Sequence, residues 1–181
     1  MSFLTRNHIF GLVTAGAVFA LDQWVKWYMV GPFQLRQKIE VDIASFFSFN
    51  YAENTGVSFS LFPAESMEGR FLLIGLTLLI SLVVLIWMLR EKKLPDILGL
   101  AMILGGAAGN IWDRYSEGFV IDYLDLHVFG RSIFNIFNLA DVWITFGVAI
   151  ILARSIFLRE KREDESEPAD KNEAETSAET N

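Results

Sequence analysis

The chain has 181 residues, 52% of them hydrophobic, and a formal net charge of −7. This apolar content is above that of an ordinary soluble domain, and the apolar residues are grouped in long segments. The absence of cysteine excludes disulfides, thiol nucleophiles and thiolate metal sites. No basic patch with interleaved aromatic residues is present, so the composition gives no support for nucleic-acid binding.

The first apolar segment covers residues 8–30 and is long enough to span a bilayer, which requires about 20 residues. A cleaved signal peptide is the competing interpretation, but the segment is longer than an ordinary signal-peptide core and no A-x-A site follows it. Asp22 and Lys26 are four residues apart near its far end and share one helix face. Either they form a pair at the water boundary, or Asp22 faces the interior of the bundle.

Residues 31–70 are polar enough to leave the membrane, and Pro32 ends the first helix. Residues 45–51 are rich in aromatic residues and alternate in part, which predicts a strand. A turn at Asn54-Thr55-Gly56 then leads into a second predicted strand at 57–61. We expect a small sheet that lies on the lipid interface or covers a substrate groove.

Three further spans are predicted, at about 71–90, 96–112 and 138–158. The third is rich in Gly and Ala, which let another helix approach closely. Residues 113–137 alternate between apolar and polar and predict a hairpin that turns near Gly130. The fold class is therefore a mainly α membrane protein: a bundle of four transmembrane helices with a small β-sheet and hairpin on its outer face. Residues 1–158 form the membrane domain, and residues 159–181 are predicted to be a disordered acidic tail.

Basic residues predict the orientation of the spans, because Lys and Arg near membrane ends favour the cytoplasmic side. One side carries Arg6, Arg90, Lys92, Lys93, Arg154, Arg159, Lys161 and Arg162. The other carries Arg36, Lys38, Arg70 and Arg131. Both termini are therefore predicted to be cytoplasmic, with residues 31–70 and 113–137 outside.

Polar side chains from separate parts of the chain are expected to meet at the outer leaflet. They are Asp22, Asn54, Asn110, Asp113, Arg114, Asp122, Asn138 and Asp141. A charged group at membrane depth costs about 2.5–3.5 kcal/mol even on a lenient scale, so such groups are either paired or used. Asp122 is flanked by apolar residues, and burial is expected to raise its pKa. Asp141 lies in the first turn of a predicted helix, where the helix dipole favours its anion.

Two facing carboxyl groups, one protonated and one ionised, can activate water against an amide, and Asp122 and Asp141 are the candidate pair. Structural pairing of the polar groups and an ion or proton path are the alternatives that the residues leave open. A metal-dependent lipid-headgroup transferase is a further alternative, because the spacing of Asp113, Asp122 and Asp125 is partly similar to the metal-binding pattern of CDP-alcohol phosphotransferases. That pattern is incomplete here. Asp125 is instead predicted to be a solvated hairpin residue.

Five motifs, taken in order, resemble those of the bacterial lipoprotein signal peptidases (signal peptidase II). The motifs are Asp22-Gln23-x2-Lys26; Asn54-Thr55-Gly56-Val57-Ser58-Phe59-Ser60; Gly105-Gly106-x2-Gly109-Asn110-x2-Asp113-Arg114; Gly118-x2-Ile121-Asp122-Tyr123; and Phe137-Asn138-x-Ala140-Asp141-x2-Ile144. The resemblance covers residues 21–145. A single motif carries little weight, but five in register within a four-span frame are specific.

The resemblance implies a membrane aspartyl endopeptidase that removes signal peptides from prolipoproteins, cutting before a diacylglyceryl-modified cysteine. It implies Asp122 and Asp141 as the catalytic dyad. The residues that it implies for substrate binding and support are Asp22, Lys26, Asn54, Gly56, Asn110, Asp113, Arg114 and Asn138. It also implies a β-cradle and a mobile helix in the outer loop, no metal or other cofactor, and inhibition by the antibiotic globomycin. We further expect a monomer in the bacterial inner membrane, in contact with membrane lipid and with its active site at the outer leaflet.

Overall fold

The computed structural model describes residues 4–56, 67–128 and 131–166. Its elements, in chain order, are α1 (Arg6–Val30), α2 (Leu35–Lys38), β1 (Glu40–Ala44), β2 (Phe47–Asn54), α3 (Met67–Arg90), α4 (Leu94–Ser116), β3 (Val120–Val128), β4 (Arg131–Ser132) and α5 (Leu139–Ser166). Four helices are long and apolar enough to cross a membrane: α1, α3, α4 and the part of α5 from Leu139 to Phe157. The predicted architecture of four spans with a small sheet is confirmed.

Helix α4 is the centre of the bundle and packs against α1, α3 and α5. A Cβ atom added at Gly105 would lie 2.6 Å from the carbonyl oxygen of Ala15 on α1. A Cβ atom added at Gly106 would lie 2.5 Å from the carbonyl oxygen of Ala140 on α5. Real side chains do not tolerate such distances, so these glycines bring both neighbouring helices close to α4. The Gly- and Ala-rich stretch thus permits close helix approach, as predicted, and does so inside the bundle.

The strands form one antiparallel sheet in the order β1-β2-β3-β4. Strand β2 corresponds to the predicted strand at 45–51, whereas the five-residue β1 was not predicted. The predicted strand at 57–61 lies outside the described residues. The sheet is anchored to the bundle by a buried cluster of Met29, Leu35 and Tyr123.

The predicted hairpin at 113–137 begins later than expected, because α4 continues to Ser116. The helix ends where Gly118 takes a φ of +96° and its N–H donates to the carbonyl oxygen of Asp113 at 3.3 Å. Strands β3 and β4 pair through His127 and Ser132, and the predicted turn at Gly130 lies outside the described residues.

The last helix also extends further than the predicted membrane domain. Helix α5 continues through residues 159–166, which were expected to be disordered. The segment is rich in Glu, Lys and Arg, which have high helix propensity and extend an existing helix readily. Residues 167–181 of the predicted tail lie outside the described residues.

Candidate active site

Asn138 joins the two aspartates that the sequence analysis paired. Asp122 lies on β3, and Asp141 lies in the first turn of α5. The Asn138 side-chain amide donates to Oδ1 of Asp122 at 2.6 Å, and the Asn138 backbone N–H donates to Oδ2 of Asp141 at 3.2 Å. The Asp141 backbone N–H donates back to Oδ1 of Asn138 at 3.1 Å, which caps the start of α5. One buried asparagine therefore orients both carboxyl groups.

Two further asparagines bind the remaining carboxyl oxygens. Asn54 donates to Oδ2 of Asp122 at 2.9 Å, and Asn110 donates to Oδ1 of Asp141 at 2.9 Å. Every oxygen of the two carboxyl groups thus accepts a hydrogen bond from a neutral amide. Within the described ranges, no ion pair includes Asp122 or Asp141. Neutral donors fix the orientation of a carboxyl group without committing it to the ionised form.

The electrostatic environment of Asp122 favours its protonated form. Asp122 is 1% exposed, and this burial raises its pKa to about 6. The hydrogen bonds from Asn54 and Asn138 lower the pKa in part, and the charge of Asp141 raises it again. The expected direction of the shift is confirmed. A carboxyl group with this pKa can hold a proton near neutral pH beside an ionised partner.

Lys26 is the centre of a buried ionic cluster beside the two aspartates. Its Nζ lies 2.8 Å from Oδ2 of Asp22 and 2.7 Å from Oδ2 of Asp113, and all three side chains are buried. It also donates to Oδ1 of Asn110 at 3.2 Å. Of the two interpretations of Asp22 and Lys26, the interior one is therefore correct. Because Asn110 also contacts Asp141, the cluster fixes the amide that orients that carboxyl group.

Two hydrogen bonds connect this cluster to the start of α5 and to β3. Oδ1 of Asp22 accepts the backbone N–H of Ala140 at 2.9 Å, and Oδ2 of Asp113 accepts that of Ile121 at 3.3 Å. Ala140 precedes Asp141 and Ile121 precedes Asp122. The buried charges therefore position the backbone beside each aspartate.

Gly56 fixes the position of Asn54. Its φ is +83°, and its backbone N–H donates to Oδ1 of Asn54 at 2.8 Å. A Cβ atom at Gly56 would lie 2.8 Å from Cδ1 of Leu73, so the glycine leaves room for this side chain, and it would lie in ordinary contact with Nη2 of Arg114 at 3.5 Å. Arg114 donates to the carbonyl oxygen of Asn110 at 3.3 Å, whereas its buried Nε has no hydrogen-bond partner in the part of the chain that the structure describes. Arg114 is thus a cation with a free donor next to the aspartates.

An apolar groove of about 570 Å³ opens beside Asp141. Its lining residues are Leu126, Phe134, Asn135, Phe137, Asp141, Val142, Thr145, Phe146 and Ala149. We call it the apolar groove. Its walls suit a hydrocarbon chain or an apolar peptide, and its polar end carries one of the two candidate catalytic groups.

Some residues differ from the sequence predictions. Asp125 is 2% exposed and not solvated, because the neighbouring strand β2 covers it. His127 lies on β3 and contacts the hydroxyl group of Ser48 at 2.8 Å. His8 is buried at the other end of the bundle, where its Nε2 contacts the carbonyl oxygen of Glu91 at 2.8 Å. Neither histidine contacts the two aspartates.

Two supporting residues were missed. Gln23 donates to Oδ1 of Asp113 at 2.8 Å, and its position one residue after Asp22 in the first motif is the signal that could have found it. The hydroxyl oxygen of buried Tyr123 accepts the backbone N–H of Leu139 at 3.2 Å. The position of Tyr123 directly after Asp122 in the fourth motif is the signal that could have found it, although the contact itself joins two elements distant in sequence.

The chain is similar to known proteins in both sequence and fold. A family model described as signal peptidase (SPase) II matches residues 14–157. The lipoprotein signal peptidase of Sphingopyxis alaskensis is 43% identical over 152 residues, which cover 84% of this chain and 88% of the relative. That of Rhizorhabdus wittichii is 41% identical over the same shares of both chains. The fold is also similar to that of a bacterial membrane enzyme solved by the in meso method at 2.3 Å resolution, with a TM-score of 0.69, 23% identity and coverage of 87% of this chain and 92% of that chain.

Proposed function

The chain belongs to the signal peptidase II family, and on this premise we propose that Asp122 and Asp141 are the catalytic pair of a membrane protease that processes prolipoproteins. The observation that carries this assignment is the double contact of Asn138, which donates to a carboxyl oxygen of each aspartate. The neutral amides around both groups support a shared proton, because they bind either protonation state.

The pair can hydrolyse an amide without a cofactor. The reaction begins from the protonated form of Asp122, which burial favours by raising its pKa to about 6, with Asp141 as the base. Asp141 takes a proton from water as the water oxygen bonds to the carbonyl carbon, and Asp122 gives its proton to the carbonyl oxygen. Asp141 then passes its proton to the amide nitrogen, and the C–N bond breaks. One hydroxyl proton of the intermediate returns to Asp122, which restores both groups.

Arg114 and the apolar groove are proposed to bind the substrate. The unpartnered Nε of Arg114 can donate to a peptide carbonyl near the two aspartates. The aromatic walls of the apolar groove, including Phe137 and Phe146, suit the diacylglyceryl chains on the cysteine that follows the cleaved bond. Globomycin is the expected inhibitor and would occupy the same region.

Support residues fall into two proposed groups. Asn54, Asn110 and Asn138 orient the two carboxyl groups. The second group positions these asparagines or the backbone beside the two aspartates. Its members are Asp22, Lys26, Gly56 and Asp113.

We propose the bacterial inner membrane as the location, with both termini in the cytoplasm and the site at the outer leaflet. The support is the charge distribution, because Arg90, Lys92 and Lys93 lie together between α3 and α4, at the end of the bundle opposite Asp122. We also propose that the protein is a monomer in contact with membrane lipid. The comparisons do not support the alternatives of a metal-dependent headgroup transferase or an ion path, since the matching family is a peptidase.

The test is cleavage of a lipidated prolipoprotein by the purified protein in detergent micelles, with and without globomycin. Asp122→Asn and Asp141→Asn should each abolish cleavage while the protein still inserts and folds. The exposed Asp42→Asn serves as the matched carboxylate control and should remain active toward a substrate without charged residues after the cysteine. Normal cleavage by either dyad variant would overturn the assignment.

A further inference from the structure

The two faces of the sheet differ in chemistry. Val41 and Phe49 pack toward the buried cluster that anchors the sheet to the helices. Ser48 on β2 is paired in register with Asp42 on β1 and with Asp125 on β3. Cross-strand neighbours share a face, so these three residues form a polar row on the side of the sheet away from that cluster.

An open groove of about 670 Å³ lies on this polar side, and we call it the polar groove. Its charged and polar lining residues are Glu40, Asp42, Ser45, Asn50, Asp125, His127 and Ser132. Three of these are carboxylates, and neither Lys nor Arg is among the lining residues in the described part of the chain. Side chains of one sign along a concave surface raise the local concentration of the opposite charge. The polar groove should therefore attract cations.

Asp125 provides an independent indication of a ligand. It is 2% exposed, and its Oδ2 accepts from Ser132 at 3.1 Å and from Asn50 at 3.4 Å. Its Oδ1 is buried and has no hydrogen-bond partner among the described residues. None of the ion pairs in the described ranges includes Asp125. A buried acceptor without a donor is uncommon in folded proteins and indicates a partner outside this described part of the chain.

The geometry favours an organic cation over a metal ion. Among the described residues, no three His, Asp or Glu side chains converge so that they could hold a metal. An ammonium or guanidinium group can be bound by a single unpaired carboxylate in a negatively charged environment. Because the polar groove lies on the side of the sheet away from the helices, a peptide in the aqueous phase reaches it more directly than a lipid headgroup does.

The polar groove is close to the site of cleavage. Asp125 is three residues after Asp122 on β3, a separation of about 10 Å along a strand. Leu126, the next residue, lines the apolar groove together with Asp141. The two grooves are therefore on opposite sides of the same few residues of β3. An extended peptide of about three residues spans the distance between Asp122 and Asp125.

We propose that the polar groove binds a Lys or Arg side chain of the mature lipoprotein, within a few residues after the modified cysteine. This inference rests on the proposed function, because it places the cleaved bond at Asp122 and Asp141. The enzyme then favours prolipoproteins with a basic residue at the start of the mature chain.

The test uses three lipidated prolipoprotein peptides that differ only after the cysteine, where they carry Lys, Gln or Glu. We expect the wild-type kcat/KM to be about tenfold higher for the Lys peptide than for the Gln peptide, and lowest for the Glu peptide. Asp125→Asn keeps an acceptor for Ser132 and removes the charge. It should lower the Lys/Gln ratio to about one.

Two further variants make the result specific. Glu40→Gln combined with Asp42→Asn changes only exposed lining residues and should reduce the ratio without affecting folding. Glu53→Gln removes a carboxylate that pairs with Arg36 at 2.8 Å and does not line the polar groove, so it should keep the wild-type ratio.

Three outcomes would overturn the proposal. The first is a wild-type Lys/Gln ratio of one, and the second is an equal loss on both peptides in Asp125→Asn, which would mean a structural role only. The third is a Lys preference that appears only when phosphatidylethanolamine is absent from the micelles, which would assign the polar groove to a lipid amine. Failure of the wild-type protein to cleave any peptide would instead contradict the proposed function.

Discussion

The side-chain amide of Asn138 donates to Asp122 at 2.6 Å, and the Asn138 side chain also caps the helix that carries Asp141. These two roles can be separated by substitution. Asn138→Ser keeps a good helix cap but is too short to replace the amide, whereas Asn138→Ala loses both. We expect both variants to lose about 100-fold in kcat, because a displaced catalytic group is costly. Only Asn138→Ala should also lose about 1 kcal/mol of stability from the missing cap.

Thermal unfolding in detergent and single-turnover cleavage measure the two effects. Near-normal turnover in Asn138→Ser would mean that the cap alone matters and that the contact with Asp122 does not orient the carboxyl group. Equal stability of the Ser and Ala variants would contradict the capping role.

The pKa of Asp122 predicts how activity depends on pH. Burial raises this pKa from 3.8 to about 6, so the protonated form required by the proposed mechanism is lost as the pH rises through about 6. The profile of kcat/KM should therefore fall on its alkaline side, with an apparent pKa near that value. A profile that is flat from pH 5 to 8, measured with a substrate that does not titrate there, would exclude Asp122 as the proton donor.

The same shift predicts a dependence of stability on pH. A pKa that is higher in the folded state contributes stability that is fully present below the unfolded value, near 3.8, and is lost as the pH rises through about 6. Two pKa units correspond to roughly 3 kcal/mol as an upper order of magnitude. Asp122→Asn does not titrate, so the stability difference between wild type and variant should change over this window. A constant difference in melting temperature from pH 4 to 7 would contradict the shift.

We expect a large loss of stability when Lys26 is removed from the buried ionic cluster. Lys26→Met leaves two carboxylates, those of Asp22 and Asp113, buried without an opposite charge. Removal of one partner from a buried pair typically costs about 3–5 kcal/mol. Adding Asp113→Asn to Lys26→Met should recover part of this loss, because one uncompensated charge disappears.

The exposed Lys92→Met is the matched control for this substitution and should unfold like the wild type. Thermal unfolding in detergent micelles, followed by circular dichroism, gives the comparison. A Lys26→Met variant as stable as the Lys92→Met control would show that the buried charges do not depend on each other.

The sequence predicted the spans, and the place of Asn138 and Asp141 at the start of a helix, because these signals are local. Long apolar runs mark the helices, and the spacing of Asn138 and Asp141 places both on one face at the start of a helix. It did not predict the end of α4 at Ser116, because hydropathy falls at Asp113 although the helix continues. Asp113 can stay inside the helix bundle because it forms an ion pair with Lys26. Lys26 lies far away in sequence, so a hydropathy profile contains no information about this pair.

The environment of Asp125 was mispredicted for a related reason. Its odd spacing from Asp122 correctly places the two carboxylates on opposite sides of a strand. Whether the second side is solvated depends on β2 and β1, which pair with β3 across a large sequence distance. Strand β1 was missed although Glu40-Val41-Asp42-Ile43 alternates polar and apolar residues as a half-buried strand does, because the alternating run is only four residues long.

We expect the substitution Gly56→Ala to reduce the activity of the enzyme more than its stability. Alanine at this position would take a φ of +83°, which costs about 1–2 kcal/mol, and its Cβ would lie 2.8 Å from the side chain of Leu73. The strain displaces the backbone N–H that holds Asn54, and Asn54 holds Asp122. We expect kcat/KM of Gly56→Ala to fall about 100-fold. Gly16→Ala is the matched control, since no atom lies within 4 Å of the added Cβ and the helical backbone accepts alanine. If both variants cleave like the wild type, the turn at Gly56 does not position Asn54 for catalysis.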